Sequence, residues 1–112
     1  MEWKDGLAFE GESVWGHRVR TDGAQDVGGA QSGPKPTELL LYGIAGCTGI
    51  DIVRILAKQR QKVTGIRITV QGEQNEDYPK PFHTVRVHYH LRGEGLDRAK
   101  VARAIELSEG KY

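Results

Sequence analysis

The sequence predicts an α+β fold in which antiparallel sheets lie against a central helix, and three observations predict it. Pro36 to Lys58 is one long apolar-rich stretch with no further proline until Pro79. Ile66 to Gln71 and Phe82 to Leu91 alternate apolar and polar residues with the two-residue period of a half-buried strand. A shorter alternating stretch precedes the helix, around Ser13 to Arg20.

The 112 residues are 38% hydrophobic and 28% charged with a net charge of +1, the profile of one ordinary globular domain spanning 1–112. The basic residues are scattered, so neither nucleic acid nor a membrane surface is an expected partner. The opening Met1-Glu2-Trp3-Lys4-Asp5 lacks the basic-then-apolar order of a secretory signal, and a single cysteine builds no intrachain disulfide, which leads us to expect a cytoplasmic protein.

In chain order, Leu7 to Glu10 and Ser13 to Arg20 read as two short strands around a turn at Gly11-Glu12. Thr21 to Lys35, rich in glycine, reads as a long loop. The helix then runs from Pro36, suited to a first helical turn, with Glu38 near the positive end of the helix dipole. Lys62 to Gly65 reads as a turn, followed by a strand with Ile66, Ile68 and Val70 on its buried face. Gln74 to Pro81 contains two prolines and is a connection. The next strand places Val85, Val87, Tyr89 and Leu91 on one face and Thr84, Arg86, His88 and His90 on the other. Asp97 caps a last helix from Arg98, with Val101, Ala102, Ile105 and Ser108 or Glu109 sharing a face and Gly110 ending it.

From Leu39 to Cys47 the central helix carries no charge on any face, so this half is expected to be buried all round. Asp51 and Arg54 interrupt the apolar run too early for a bilayer span, which leaves a core helix. Gly43, Gly46 and Gly49 recur every third residue, and each costs about 1 kcal/mol against alanine in a helix interior. They form a ridge that lets another backbone approach. A short chain covers only one side of such a helix, so a homodimer is expected.

Cys47, beside that ridge, is the candidate reactive group, although free cysteine is also a common packing residue. Asp51, one turn on, disfavours a thiolate, so activation requires a cation. Arg18 or Arg20 could supply it from the hairpin, whereas Arg54 already neighbours Asp51. Glu38, nine residues before Cys47, falls on the opposite side of the helix about 13.5 Å along its axis. It serves either to orient an arginine or as a favourable first-turn carboxylate. His88 and His90 stand two apart on a polar strand face without a third ligand at motif spacing, so no metal is expected. Walker-type, G-x-S-x-G and H-E-x-x-H motifs are absent.

Gly33-Pro34-Lys35-Pro36-Thr37-Glu38-Leu39-Leu40-Leu41 with Gly46-Cys47-Thr48-Gly49-Ile50-Asp51 resembles the central helix of the OsmC/Ohr family of hydroperoxide-reducing thiol proteins. The resemblance extends to Gly16-His17, Asp22, the segment from Gly65 to Leu91 with Tyr78-Pro79, and Leu107 to Tyr112. It implies an intertwined homodimer with sheets wrapped around paired cysteine helices. It also implies a thiol peroxidase without metal or flavin, in which Cys47 attacks an organic hydroperoxide in oxidative or osmotic stress defence, a second cysteine forms a disulfide, and an external dithiol reduces it. In that family the second cysteine would fall just after Tyr112, so the domain is expected to lack the family's final strand and the end of its last helix. Thr37 stands where the peroxidases carry their catalytic glutamate, with Glu38 one place late, and the family's arginine maps onto Arg18 or Arg20. Both departures point to the OsmC-like branch, with a non-enzymatic stress or ligand-binding dimer as the alternative.

Overall fold

The structure is a computed structural model that describes residues 1–74 and 82–110. Among these residues it is α+β, with two antiparallel sheets, two α-helices and one 3-10 turn. The chain forms two compact units, one ending at Leu40 and the other beginning at Leu41.

The first unit holds a three-stranded sheet in sequential order, β1 (Glu2–Asp5), β2 (Ala8–Glu12) and β3 (Arg18–Thr21). The expected hairpin is present but its turn is not at Gly11-Glu12. Gly11 is paired opposite Val19 within the ladder, and the chain reverses through Ser13 to His17. There the Ser13 N–H donates to the His17 carbonyl at 2.8 Å, the Gly16 N–H donates to Ser13 O at 2.9 Å, and Gly16 takes the left-handed conformation at φ 83°. Val14 and Trp15 are consequently exposed loop residues. Thr21, expected in the loop, is the last residue of β3, and the loop runs from Asp22 to Lys35 with a 3-10 turn at Gln25–Val27.

Helix α1 spans Pro36–Lys58, as the sequence predicts. Its start is closed by Glu38, whose Oε1 accepts the Lys35 N–H at 3.2 Å, one half of a capping box. Its end is closed by a turn at Gln59 to Gln61, with Arg60 at φ 56°. Lys62 to Gly65 is therefore not the turn; it already belongs to β4 (Lys62–Gln74), which pairs antiparallel with β5 (Phe82–Glu94). Of the Gln74 to Pro81 connection, only Gln74 lies within the described residues, as the last residue of β4. Helix α2 spans Arg98–Glu109, and Asp97 caps it by accepting from Ala99 N at 2.9 Å and Lys100 N at 3.4 Å.

The core of the second unit is Ile52, Leu56 and Ala104, surrounded by Ile55, Val63, Ile66, Tyr89, Leu91, Val101 and Ile105. In α2 the buried row is Val101, Ala104, Ile105 and Ser108; Ala102 is exposed, because the i, i+3, i+4, i+7 stripe starting at Val101 passes through 104 and not 102.

The expected all-round burial of Leu39 to Cys47 does not occur within the chain. Leu40, Tyr42, Gly43, Gly46 and Cys47 are exposed, and the buried residues of α1 begin only at Thr48, followed by Asp51, Ile52 and Leu56. One two-stranded ribbon and one short helix cover a single side of a 23-residue helix and no more. Contrary to the expectation from the interruption at Asp51 and Arg54, α1 is by length and composition alone long and apolar enough to cross a bilayer. Ile52 and Leu56, both at 0% exposure and clustered with Ala104, place its second half in a protein core.

Candidate thiol site

Cys47 is a free, exposed thiol on the last all-apolar turn of α1. The next residue, Thr48, turns inward and ties the helix down. Its hydroxyl donates back to the Ile44 carbonyl at 2.8 Å, and its own carbonyl accepts from the fully buried Ser108 Oγ of α2 at 3.1 Å. Tyr89 of β5 donates its hydroxyl to Glu109 Oε1 at 3.0 Å. Burial, followed by the Glu109 carboxylate, pushes the Tyr89 phenol above its ordinary 10.0, and the Thr48 hydroxyl acts in the opposite direction. The backbone beside Cys47 is thus fixed by β5 and α2 while the thiol remains open to solvent. Asp51 is buried and engaged.

A groove of about 460 Å³ begins at Gly46, the neighbour of Cys47, and runs between α1 and β4. Gly49, Ile50, Val53, Ile66 and Ile68 make its apolar walls, and Arg54 is its one cation among the described residues. Gly49 keeps it open, since a Cβ there would come within 3.2 Å of Ile68 Cδ1. Cβ atoms at Gly43 and Gly46 would meet nothing within 4 Å.

Arg18, Arg20 and Glu38 belong to the first unit. Arg20 donates from NH1 to Glu10 Oε1 at 2.9 Å and from Nε to Ser32 Oγ at 2.9 Å. Arg18 is exposed opposite Glu12 and has no ion pair among the described residues. The Glu38 carboxylate is engaged at the start of α1. The glycine ridge that drew attention to Gly43, Gly46 and Gly49 gave no hint of a role for Ser32 or Asp22. Asp22, at 2% exposure, accepts from Ser32 Oγ at 2.5 Å, Ser32 N at 3.1 Å and Gly23 N at 2.7 Å, which closes the 22–35 loop on itself. The spacing of an aspartate before a glycine-rich loop was the available signal. His88 and His90 stand opposite Thr69 and Arg67, and no group of three metal-ligating side chains occurs among the described residues.

The family model for OsmC-like protein matches residues 28–111. Protein YhfA of Escherichia coli (strain K12) is 38% identical over 112 residues, covering 100% of this chain and 81% of that protein. A candidate osmotic stress induced and detoxification response protein from Psychrobacter arcticus 273-4 has the same fold, with a TM-score of 0.85 at 18% identity over 96% of this chain and 77% of that one. An organic hydroperoxide resistance protein OsmC from Legionella pneumophila superposes with a TM-score of 0.58 at 17% identity, covering 99% of this chain and 86% of that one. An α+β fold built on an apolar helix with an exposed cysteine, matched by this family model over most of its length, defines the class: the chain belongs to the OsmC-like protein family.

Proposed function

We propose that the protein is a cysteine-dependent reductase of organic hydroperoxides, active in the cytoplasm in stress defence and working as an intertwined homodimer. The observation that carries the reading is the exposed Cys47, next in the chain to Gly46, which lines an apolar groove. The groove accommodates the hydrocarbon part of an alkyl or aryl hydroperoxide, and its opening at Gly46 leaves the peroxide oxygens near sulfur. The Cys47 thiolate attacks the terminal oxygen, the O–O bond breaks, the alcohol leaves with a proton, and sulfur is left as sulfenic acid. A thiol then attacks that sulfur, releasing water and forming a disulfide. The second thiol of an external dithiol frees Cys47 and carries away the oxidising equivalents as its own disulfide. Cys47 is the sole cysteine of these 112 residues, so the attacking thiol comes from outside them.

The dimer is supported by what the chain leaves uncovered. Leu40, Tyr42, Ile50 and Val53 are each more than half exposed on one helix, and Trp3, Phe9 and Val19 are exposed on the first sheet. Gly43 and Gly46 have no neighbour among the described residues that requires them. At about 1 kcal/mol each they make physical sense when a second backbone approaches. Arg18 and Arg20 are proposed as the activating cations, and Arg18 is the one without a carboxylate pair among the described residues.

The engagement of Glu38 with Lys35 N–H favours a second reading, a non-enzymatic stress or ligand-binding dimer that uses the same groove. Mass spectrometry separates the two. After one equivalent of cumene hydroperoxide, a sulfenic-acid reagent should label Cys47, and the Cys47→Ser variant should stay unlabelled. Unmodified Cys47 would overturn the peroxidase and leave the binding protein.

A further inference from the structure

The outer face of the β4–β5 ribbon carries a cluster of cations that the thiol chemistry does not use. Arg67 stands directly opposite His90, and Gly65 directly opposite Arg92. Cross-strand partners project from the same face, and residues two apart share it, so these four positions form a square on one face. Three corners are cationic or titratable and the fourth is glycine. A Cβ at Gly65 would come 3.1 Å from one terminal nitrogen of Arg92 and 3.2 Å from its Nε, which means that the Arg92 guanidinium folds across the ribbon and lies over the glycine beside Arg67.

These side chains line a cleft of about 420 Å³, completed by Ile66 and Leu91. No carboxylate lines it, and neither Arg67 nor Arg92 has an ion pair among the described residues. Of the two acids of the ribbon, Glu73 is held by Arg86 at 3.1 Å, and Glu94, two residues beyond Arg92 and opposite Lys62 in the ladder, does not line the cleft. The two arginines stand diagonally across the square, and no carboxylate pairs with either among the described residues. Two planar forks with an imidazole between them match the tetrahedral oxygens of a phosphate group, which accepts paired N–H bonds from arginine.

We propose that the Arg67–His90–Arg92 cleft binds a phosphate-type oxyanion carried by a small soluble molecule. The charge is gathered in one cleft whose two apolar lining residues, Ile66 and Leu91, are partly buried, the arrangement that suits a compact ligand better than a lipid surface. The site does not depend on Cys47.

The test is NMR titration of the full chain with inorganic phosphate, against sodium chloride at matched ionic strength, observing the histidine ring signals. His90 should shift saturably with phosphate and His88, beside Thr69, much less. Arg67→Gln and Arg92→Gln should each weaken binding about tenfold or more, Arg86→Gln should leave it unchanged, and Cys47→Ser should bind as the parent does. Gly65→Ala keeps every charge but displaces the Arg92 fork, and it should also weaken binding while the urea midpoint confirms that the chain is folded. A response to chloride equal to that with phosphate would overturn the proposal, as would equal losses in Arg86→Gln and Arg67→Gln. Binding to phosphatidylglycerol vesicles with no saturable response to inorganic phosphate would overturn it as well, replacing the soluble ligand by a lipid headgroup.

Discussion

At the scale of single residues, Asp22 organises the loop that leads into α1. The Ser32 hydroxyl and then the Ser32 N–H hold its carboxyl down to about 2 from an ordinary 3.8, against the opposing effect of burial. A carboxylate whose folded value is depressed stabilises the fold above its unfolded value, and that contribution is lost as pH falls through the folded one. The loop should therefore be fully held at pH values above 3.8 and release as pH falls toward about 2. Amide hydrogen exchange of Gly23 and Ser32 across that window checks this, and Asp22→Asn should exchange fast at every pH. Arg20 shares Ser32 with Asp22, so its replacement disturbs the loop as well as the charge, whereas Arg18 has no such tie among the described residues. If an arginine of the first unit activates the thiol, Arg18→Ala should slow iodoacetamide alkylation of Cys47 at neutral pH several-fold without a change in the melting temperature. An unchanged rate in both Arg18→Ala and Arg20→Ala would remove the first sheet as the source of the activating charge.

At the scale of elements, α2 clamps the thiol helix. Ser108 reaches the Thr48 carbonyl from a fully buried position, and Tyr89 meets Glu109 from the other side. Ser108→Ala removes a buried neutral hydrogen bond and should cost about 1 kcal/mol of unfolding free energy. Asp97 begins α2 by satisfying two of its free N–H groups, and its own N–H donates to Gln61 Oε1 at 2.8 Å, which joins the helix start to the turn after α1. Asp97→Ala should cost about 1 kcal/mol, read from urea denaturation, and Asp97→Ser should recover most of it.

At the scale of the whole molecule, the uncovered side of α1 predicts association. Sedimentation at low micromolar concentration should find a dimer and no folded monomer, since the two sides of one core helix are then buried by different chains. Gly46→Leu places a side chain on the glycine ridge. Within the chain it meets open space, so it should not strain the fold of one chain; across a helix crossing it overpacks. The expected outcome is loss of the dimer together with a fall in melting temperature. A Gly46→Leu dimer as stable as the parent would place the interface elsewhere.

What the sequence by itself determined is the set of elements whose signals are local. Pro36 and Glu38 at the helix start, an unbroken apolar run, and Asp97 before Arg98 define α1 and α2 through contacts within a few residues. Cys47 stands out because it is the single thiol among 112 residues. Tertiary structure decided the rest. Leu39 to Cys47 is apolar on every side, so no periodicity marks which side is packed; the covered side is set by where β4, β5 and α2 lie. The reversal at Ser13 to His17 was misplaced because Gly11 fits a strand as readily as a turn, and only its pairing with Val19 fixes the register. The groove beside Cys47 needs Ile66 and Ile68 from β4. The cationic square arises because antiparallel pairing, with a register shift between Val63 and Gly65, sets Arg92 opposite a glycine. Residues far apart in the chain become neighbours only through that pairing, so no local pattern carries the arrangement.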